Sequence, residues 1–334
     1  MAIESLSNKN VMVTGGAGFI GSALVRELMK KRAKVIVYDN FLNGIMENLE
    51  EIKDEIVIVN GDITNPNFKD YLVKYNIEYL FNLAAEPYIP HSYERPKQFF
   101  EVNANGVLNV LMASKETNVR RIIQYSTSEV YGSSLYVPMD ENHPTNPAST
   151  YAVSKLAADR LCYTLFHEQK IPVIVLRQFN VFGPRETHPY IIPELISQLH
   201  VSNKLRLGNI KAKRDMSYVE DAVKGAIALM GCEGAVGHAV NLGTGKSYSI
   251  AEMANIIGGI IGQGDIEIIV EKERLRPLDV DCLQCDYSKM NKLTKWNPEI
   301  SFEDGIKKTI EYFNGKNKTW PWNRPLYNEA KRNS

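Results

Sequence analysis

A tyrosine and a lysine stand four residues apart in Tyr151-Ala152-Val153-Ser154-Lys155, within a pattern that predicts a helix to about Glu168. Residues at this spacing share one helix face. A lysine ammonium near a phenol favours the phenolate and is expected to lower the tyrosine pKa by about one to three units. The pattern therefore predicts that Tyr151 works as a base near neutral pH, although such a pair is also common on solvated helices.

A polar stretch, Ser126-Thr127-Ser128-Glu129, ends a strand-like run 24 residues before Tyr151, counted from Thr127. Ligands of open α/β sheets bind at the carboxyl ends of the strands. We therefore expect Thr127 and Glu129 to lie close to Tyr151. An exposed glutamate without a role is the alternative for Glu129, and its position beside Thr127 disfavours it.

A glycine-rich segment, Thr14-Gly15-Gly16-Ala17-Gly18-Phe19-Ile20-Gly21, follows the first strand-like run and precedes a helical pattern. This context fits the G-x-G-x-x-G turn that brings a pyrophosphate to a helix N-terminus. Asp39 ends the next strand-like run, 18 residues after Gly21, where a carboxylate accepts the hydroxyls of an adenosine ribose. Because that carboxylate would repel a 2′-phosphate, the cofactor predicted is NAD rather than NADP.

Three further positions belong to the expected cofactor site. Asp62 follows the third strand-like run, where it contacts the adenine edge or caps a helix, two interpretations of equal weight. The segment Leu83-Ala84-Ala85 ends the fourth run with small residues that let the backbone approach the cofactor. Asn103 is expected to be a structural or cofactor-side hydrogen-bonding residue.

Short apolar runs alternate with helical patterns from residue 10 to about residue 180, which is typical of βαβ units. Because most runs are continuously apolar, helices are expected on both faces of the sheet. The fold class predicted is α/β, a doubly wound parallel (Rossmann) sheet with a smaller C-terminal substrate-binding lobe. The runs lie at 11–13, 35–38, 56–59, 79–83, 121–125 and 173–176.

The regular alternation of strand and helix patterns ends after Gly183-Pro184-Arg185, and the expected domain boundaries follow from that change. Residues 1–183 form the NAD-binding domain, and 239–262 rejoin its sheet as a strand and a helix. Residues 184–238 and 263–315 form the lobe. The segment 316–334, which contains Trp320, Trp322 and Arg324, is expected to be a surface tail or an oligomer contact.

The composition excludes several classes of protein. With 39 Lys plus Arg against 39 Asp plus Glu in 334 residues, the chain lacks the charge of a general nucleic-acid binder. Its N-terminus lacks a signal-peptide pattern, and no apolar stretch approaches the roughly 20 residues of a membrane span. We expect a soluble cytoplasmic protein without membrane contact. Cys282 and Cys285 form a C-x-x-C without further zinc ligands, so no metal site is expected.

The sequence closely resembles the extended short-chain dehydrogenase/reductase family, and within it the nucleotide-sugar epimerases and dehydratases. The resemblance runs from Val11 to about Tyr312 and rests on several motifs in combination. These are Thr14-Gly15-x-x-Gly18-x-x-Gly21, Asp39, Asp62, Ser126-Thr127, Tyr151-x-x-x-Lys155 and Phe179-Asn180-Val181-Phe182-Gly183-Pro184.

The resemblance implies that Tyr151 takes the proton of the sugar 4-hydroxyl while C4 is oxidised by NAD, that Thr127 bonds the same hydroxyl, and that Lys155 holds the nicotinamide ribose. Cofactor contacts are implied at Gly15, Gly18, Phe19, Ile20, Gly21, Asp39, Asn40, Asp62, Ile63, Leu83, Ala84, Ala85, Asn103, Ser126, Tyr151 and Lys155. Contacts with a nucleotide-diphosphate sugar are implied at Glu86, Asn180, Arg185, Arg214 and Arg276. Arginine suits such a diphosphate because its planar donors bind it in pairs.

Glu129 decides which reaction the resemblance implies. In family dehydratases the matching carboxylate removes the C5 proton, and water leaves from C6. Ser128 stands where dehydratases acting on dTDP-glucose have Asp, so Thr-Ser-Glu resembles dehydratases of GDP-mannose or nucleotide-linked N-acetylglucosamine, in which Glu129 would serve as base and acid. We therefore predict an NAD-dependent nucleotide-sugar 4,6-dehydratase.

Three alternatives remain open at this stage. A UDP-sugar 4-epimerase shares the C4 oxidation, and UDP-glucuronate decarboxylases also carry Thr-Ser-Glu. A non-catalytic NAD-binding sensor is the third, and the intact Tyr151 and Lys155 pair disfavours it. Family members commonly form homodimers through the helix that bears the tyrosine and the helix before it. The apolar positions expected there are Leu108, Leu111, Leu161 and Leu165.

Overall fold

The computed structural model describes residues 4–323, in which the alternating sequence pattern becomes alternating strands and helices. The strands are β1 (Asn10–Thr14), β2 (Lys34–Asp39), β3 (Val57–Asn60), β4 (Tyr79–Asn82), β5 (Arg121–Thr127), β6 (Val173–Gln178), β7 (Asn180–Phe182), β8 (Lys204–Leu207), β9 (Lys213–Tyr218), β10 (Ala239–Leu242), β11 (Ser247–Ser249), β12 (Glu267–Val270) and β13 (Cys282–Leu283). The helices are α1 (Phe19–Lys30), α2 (Phe68–Lys74), α3 (Ile89–Glu94), α4 (Pro96–Phe100), α5 (Val107–Lys115), α6 (Thr150–Gln169), α7 (Ile191–Val201), α8 (Val219–Met230), α9 (Ile250–Ile261), α10 (Ser288–Thr294) and α11 (Phe302–Gly315).

Among the described residues, β1–β6 and β10 form a seven-stranded parallel sheet in the order β10-β6-β5-β4-β1-β2-β3. The predicted doubly wound α/β fold is confirmed. The order of the strands reverses between β1 and β4, and such a reversal leaves a crevice outside the carboxyl ends of the strands. The glycine-rich turn follows β1, and the polar stretch at 126–129 follows β5, so both reach this crevice.

Helices cover both faces of the central sheet. On one face α1 packs against α8, and on the other α2, α5 and α6 pack over the strands. Successive residues of β1 alternate between the two cores, with Val11 and Val13 on the α1 side and Met12 on the α5 side. Because helices cover both faces, the strands carry apolar residues at successive positions rather than at alternate ones, as in Val11-Met12-Val13 of β1.

The smaller lobe contains two short sheets. In one, β9 pairs with β7, β11 and β13, and in the other β8 pairs with β12. Helix α9 packs on α7, α11 and β11 of this lobe, whereas α8 packs on α1, β5 and β6 of the central sheet. Strand β10 joins the central sheet as expected, whereas α9, expected with that sheet, lies in the lobe. Helix α8, expected in the lobe, contacts both the central sheet and the lobe strands β7 and β9. Both helices are amphipathic, so their sequences alone do not show which layer each covers.

The C-terminal segment also differs from expectation over its described part. Trp320 is only 1% exposed, and its ring stacks on Phe313 at 5.0 Å and on Trp322 at 5.5 Å between centroids. Residues 316–323 are thus docked on α11 rather than forming a surface tail. Arg324 and the rest of the expected tail lie outside the described residues.

The described residues contain no disulfide bond, no cluster of metal-ligating side chains and no helix that could span a membrane. The four cysteines are free thiols, and Cys285 is buried. Within residues 4–323 no group of three or more His, Cys, Asp or Glu side chains is placed to hold a metal ion. Over the same range, every helix is too short or too polar to cross a bilayer.

Candidate active site

A cavity of about 980 Å³ lies along the carboxyl ends of the central strands, between the sheet and the smaller lobe. This volume is at the upper end of the range for ligand pockets, as two ligands side by side would require. The cavity brings together the glycine-rich turn, the polar stretch after β5, and Tyr151 with Lys155. It also receives Arg214 and Arg276 from the smaller lobe.

The turn between β1 and α1 has room for glycine only. Gly15 has a φ of +68°, and a Cβ there would lie 2.9 Å from the backbone nitrogen of Ala84. A Cβ at Gly21 would lie 2.1 Å from the carbonyl oxygen of Gly15. Gly18 precedes α1 without a side-chain cap, and the first turn of the helix lines the cavity at Phe19 and Ile20. Free N–H groups at such an end favour an anion, so the turn fits a dinucleotide pyrophosphate.

Asp39 lies in the cavity wall at the end of β2. Its carboxylate accepts hydrogen bonds from the backbone N–H groups of Ala17 and Phe41, both at 2.8 Å. Burial raises the pKa of Asp39, and these two hydrogen bonds oppose that effect. Each carboxylate oxygen keeps a lone pair, so Asp39 can still accept the ribose hydroxyls predicted for it.

The helix-cap interpretation of Asp62 is wrong, because α2 begins at Phe68 with Asn67 as its N-cap, and the contact with adenine stays a prediction. Asp62 lines the cavity, and its Oδ1 accepts from the N–H and the hydroxyl of Thr64, as a local turn-forming residue does. Its Oδ2 accepts from Asn40 Nδ2 at 2.7 Å. Burial raises the pKa of Asp62, but the hydrogen bonds from Thr64 and Asn40 outweigh burial and lower it overall. The carboxylate is therefore ionised and anchored in the cavity wall near Asn40.

Tyr151, Thr127 and Glu129 meet at the opposite end. Ser149 caps α6 by accepting from the N–H of Ala152, which places Tyr151 in the first turn of the helix. The phenol forms a hydrogen bond with the side chain of Thr127 and is within electrostatic reach of the Glu129 carboxylate. Thr127 Oγ1 also accepts from the N–H of Glu129 at 3.2 Å, so the turn after β5 holds this carboxylate at the cavity.

The expectation that Lys155 lowers the pKa of Tyr151 is wrong in this structure. Burial raises the pKa of Tyr151, and the charge of Glu129 adds to the effect, while the Thr127 hydrogen bond opposes it. The Lys155 ammonium is turned to the strand, where Nζ donates to the carbonyl oxygen of Tyr125. Burial lowers the pKa of Lys155 to about 8. Desolvation thus pushes both groups toward their neutral forms.

The expected substrate residues Glu86, Asn180, Arg214 and Arg276 line the cavity. Arg214 is buried and fixed in place, with Nη1 donating to the carbonyl oxygen of Val280 at 2.8 Å and Nη2 lying 3.5 Å from Asp279. Arg276 is exposed at the rim. The two guanidinium groups give the lobe side of the cavity the cations that a diphosphate requires.

Two predicted site residues lie behind the cavity wall. Asn103 is fully buried, accepts from the N–H of Glu86 at 2.8 Å, and donates to the Glu86 carbonyl and to Ser154 Oγ. It therefore fixes the Glu86 backbone rather than contacting a cofactor. Arg185 has a φ of 72°, which turns its side chain onto Glu51 and the ring of Tyr312.

The other predicted residues are where the sequence placed them. Ser128 is buried in the wall beside Glu129. The remaining cofactor positions also line the cavity, namely Asn40, Ile63, Leu83, Ala84, Ala85 and Ser126.

Sequence reasoning missed a hydrogen-bonded link that ties the cavity wall at Asn43 and Glu86 to His188. Asn43 donates to Glu86 Oε2 at 3.2 Å, and its Oδ1 lies 3.2 Å from His188 Nε2. The ring of Tyr88 stacks on His188 at 5.4 Å. These residues come from the loops after β2, β4 and β7, so no local motif marks them. The only available signal was that each follows a strand which ends at the cavity.

Comparison with known proteins relates this geometry to chemistry. The chain matches the family model described as GDP-mannose 4,6 dehydratase over residues 12–309. It is 33% identical to the UDP-N-acetyl-alpha-D-glucosaminuronate decarboxylase of Bacillus cytotoxicus, over 91% of this chain and 98% of that protein. It is 30% identical to the human dTDP-D-glucose 4,6-dehydratase, over 93% of this chain and 92% of that protein.

A solved structure with similar geometry carries the cofactor. The UDP-glucose 4-epimerase of Thermus thermophilus, in complex with NAD, superposes with a TM-score of 0.82 at 26% identity, over 92% of this chain and 99% of the other. The similar proteins thus share nucleotide-sugar substrates but include a decarboxylase, a dehydratase and an epimerase.

Proposed function

Because this chain belongs to the GDP-mannose 4,6 dehydratase family of NAD-dependent extended short-chain dehydrogenases/reductases, we propose that it is a nucleotide-sugar 4,6-dehydratase. Whichever of the family's reactions it catalyses, it is an NAD-dependent enzyme that acts on nucleotide sugars. The proposed reaction converts a nucleotide-linked hexose into the 4-keto-6-deoxyhexose and water. The observation that carries this proposal is the carboxylate of Glu129 beside Tyr151 in one cavity.

The residues that hold NAD follow from the geometry of the cavity. When bound, NAD supplies a reversible two-electron oxidation that starts at C4 of the sugar and is reversed at C6. The glycine-rich turn holds the pyrophosphate, and Asp39 holds the adenosine ribose. Asp62 contacts the adenine side, and Lys155 holds the nicotinamide ribose. These assignments leave the lobe side of the cavity to the substrate.

Arg214 and Arg276 bind the diphosphate of the sugar nucleotide, with Asn180 on the same side. The 4-hydroxyl of the sugar then meets Tyr151 and Thr127. The phenolate form of Tyr151, a minority form because burial raises the pKa of this phenol, takes the proton of the 4-hydroxyl as C4 is oxidised. Thr127 orients that hydroxyl by a hydrogen bond.

Glu129 is the residue that separates dehydration from epimerisation. The 4-keto group acidifies the proton at C5, and the Glu129 carboxylate removes it. The resulting carboxylic acid passes the proton to the hydroxyl leaving C6, so water departs and a C5–C6 double bond forms. Ser128, buried beside it, offers a hydroxyl that can bond the departing group. C5 takes up a proton when the double bond is reduced at C6.

Mass spectrometry of the product tests this proposal. The protein is incubated with NAD and a panel of nucleotide sugars with GDP, UDP, dTDP and CDP carriers, in ordinary and in heavy water. Dehydration predicts a product lighter by one water, absorbance of the 4-keto sugar in alkali, and one solvent deuterium at C5. A product of unchanged mass would instead show an epimerase, and loss of carbon dioxide from a uronate would show a decarboxylase. Tight NAD binding without turnover of any substrate would favour a sensor.

We also propose that the enzyme works as a cytoplasmic homodimer through α5 and α6. Leu108, Val153 and Tyr163 are exposed on these helices and offer an apolar face. Leu111 and Leu165, by contrast, are buried within the chain and serve as core. Light scattering coupled to gel filtration should give twice the chain mass, and Tyr163→Glu with Val153→Glu should give a monomer.

A further inference from the structure

Helix α6 presents three polar side chains to the end of β5 at intervals of one turn. They are Tyr151, Lys155 and Asp159, and residues four apart lie on one helix face. Their contacts fall on the last three residues of the strand: Tyr151 on the Thr127 side chain, Lys155 on the Tyr125 carbonyl, and Asp159 on Ser126 Oγ at 3.2 Å. The proposed mechanism uses the first two members of this row and leaves Asp159 unexplained.

Asp159 is also tied to the neighbouring strand β6. Its carboxylate accepts from Arg177 Nε at 2.8 Å and Nη2 at 3.1 Å, which is a bidentate pair. Asp159 is 2% exposed and Arg177 is 4% exposed. Arg177 Nη1 donates in turn to the hydroxyl of Tyr131 at 3.0 Å. The carboxylate therefore joins α6, β5 and β6 directly beneath the cavity.

Asp159 is the anion that faces Lys155 inside the protein. Burial lowers the pKa of Lys155 to about 8, and Cys162 and Asp159 oppose that effect. Burial raises the pKa of the Cys162 thiol, so this group is uncharged near neutral pH and the opposing charge comes from Asp159. Arg177 Nε and Nη2 donate to the two oxygens of the Asp159 carboxylate, which fixes its position beside α6.

We propose that Asp159 is a positioning residue of this enzyme: it docks the end of β5 on α6, which sets the distance between Thr127 and Tyr151, and it supplies the buried carboxylate one helix turn from Lys155. The inference rests on the part of the proposed function that concerns Tyr151 and Lys155. It does not depend on whether the product is a dehydrated, epimerised or decarboxylated sugar, since each begins with oxidation at C4.

The titratable and charged groups around the pair come from three elements. Lys155 faces Tyr125 from β5, and Cys162 and Asp159 from its own helix. Asp159 faces Arg177 from β6, and Arg177 faces Tyr131 from the turn after β5. Glu129, in that same turn, faces Tyr151. Of these groups, Lys155 has a pKa near 8, so its deprotonation is assigned to the alkaline limb of the activity profile.

Asp159→Asn tests the proposal by removing the charge at constant shape. Lys155 is charged at pH values below its pKa. Loss of the Asp159 charge lowers that pKa, so between the pKa of the variant and that of the wild type Lys155 is neutral in the variant and charged in the wild type. The alkaline limb of kcat should move down by about one pH unit, with kcat about fivefold lower at pH 8 and an unchanged KM for the nucleotide sugar. NAD affinity, titrated across the same pH range, should show the same shift of its alkaline limb.

Asp221→Asn is the matched control. Asp221 is equally buried and accepts from the backbone N–H groups of Glu299 and Ile300, away from the cavity. This variant should lose thermal stability, and the alkaline limb of its kcat profile should stay at the wild-type pH. Equal limbs in Asp159→Asn and the wild type would overturn the proposal.

Asp159→Glu provides the test if the asparagine variant does not fold. It keeps the charge but lengthens the side chain, so kcat should fall severalfold while the limb stays in place. A limb that moved in Asp159→Glu would overturn the proposal. The NAD titration needs no turnover, so a failed assignment of the reaction is distinguishable from a failed assignment of Asp159.

Discussion

The two ends of the cavity are built in different ways. At the adenine end the backbone supplies most of the donors: the glycine turn spans residues 15–21, and Asp39 accepts from the N–H groups of Ala17 and Phe41. At the catalytic end the main contact joins two side chains, those of Tyr151 of α6 and Thr127 of β5.

The protonation states of the two ends differ as well. At the adenine end, hydrogen bonds lower the pKa of Asp62, whereas burial raises that of Asp39 against its two backbone hydrogen bonds. At the catalytic end burial raises the pKa of Tyr151 and lowers that of Lys155. Cofactor binding is thus organised by fixed hydrogen bonds. The reactivity of Tyr151 and Lys155 depends on the charges that surround these two desolvated groups.

The largest expected effect belongs to the catalytic end. Tyr151→Phe removes the base at the 4-hydroxyl, and the rate should fall by about 10²- to 10⁴-fold. NAD affinity should stay within severalfold of the wild type, because the adenine end is untouched. Steady-state kinetics and a cofactor titration measure both quantities. A comparable loss in both would contradict the separation of the two ends.

Glu129→Gln separates two steps at the catalytic end, the oxidation of C4 and the loss of water. The variant should lose about 10²- to 10³-fold in dehydration, since it has no base for the C5 proton. It should still oxidise C4, which the absorbance of the reduced cofactor reports, and it should incorporate no solvent deuterium at C5. Full dehydratase activity in this variant would remove Glu129 from the mechanism.

Asp39→Asn probes the adenine end. The change weakens charge-assisted hydrogen bonds to the ribose, so NAD should bind about ten- to a hundredfold less tightly. NADP should lose less or gain, because the repulsion of its 2′-phosphate is relieved. Titration of wild type and variant with both cofactors gives the ratio. If the wild type bound NADP more tightly than NAD, the role of Asp39 would have to be abandoned.

The smallest effect separates two arginines that sequence reasoning treated alike. Arg276→Met should raise KM about tenfold, because this guanidinium lies at the cavity. Arg185→Met should change KM less than about twofold, since Arg185 pairs with the exposed Glu51 and such pairs contribute little. Michaelis constants for the best substrate of the panel provide the measurement. A large KM effect of Arg185→Met would place it back among the substrate residues.

The central sheet and the cofactor end of the site were predictable because they follow from local sequence patterns. Continuous apolar runs identified the strands of the central sheet, and the spacing from Gly21 to Asp39 identified the cofactor end. The errors share one cause. Nothing in the local sequence distinguishes α8 from α9, or Arg185 from Arg276, because the layer or cavity that each meets is formed by segments far away in the chain.

The sequence by itself determined the order of strands and helices, the glycine turn, and the residue types that carry the proton transfers. These follow from conformational preferences and side-chain chemistry within short segments. Only the tertiary structure decided where Lys155 points, how burial shifts the pKa of Tyr151, and that Asp159 joins α6 to β5 and β6. Desolvation and long-range hydrogen bonds depend on everything packed around a group, so they have no counterpart in a local pattern.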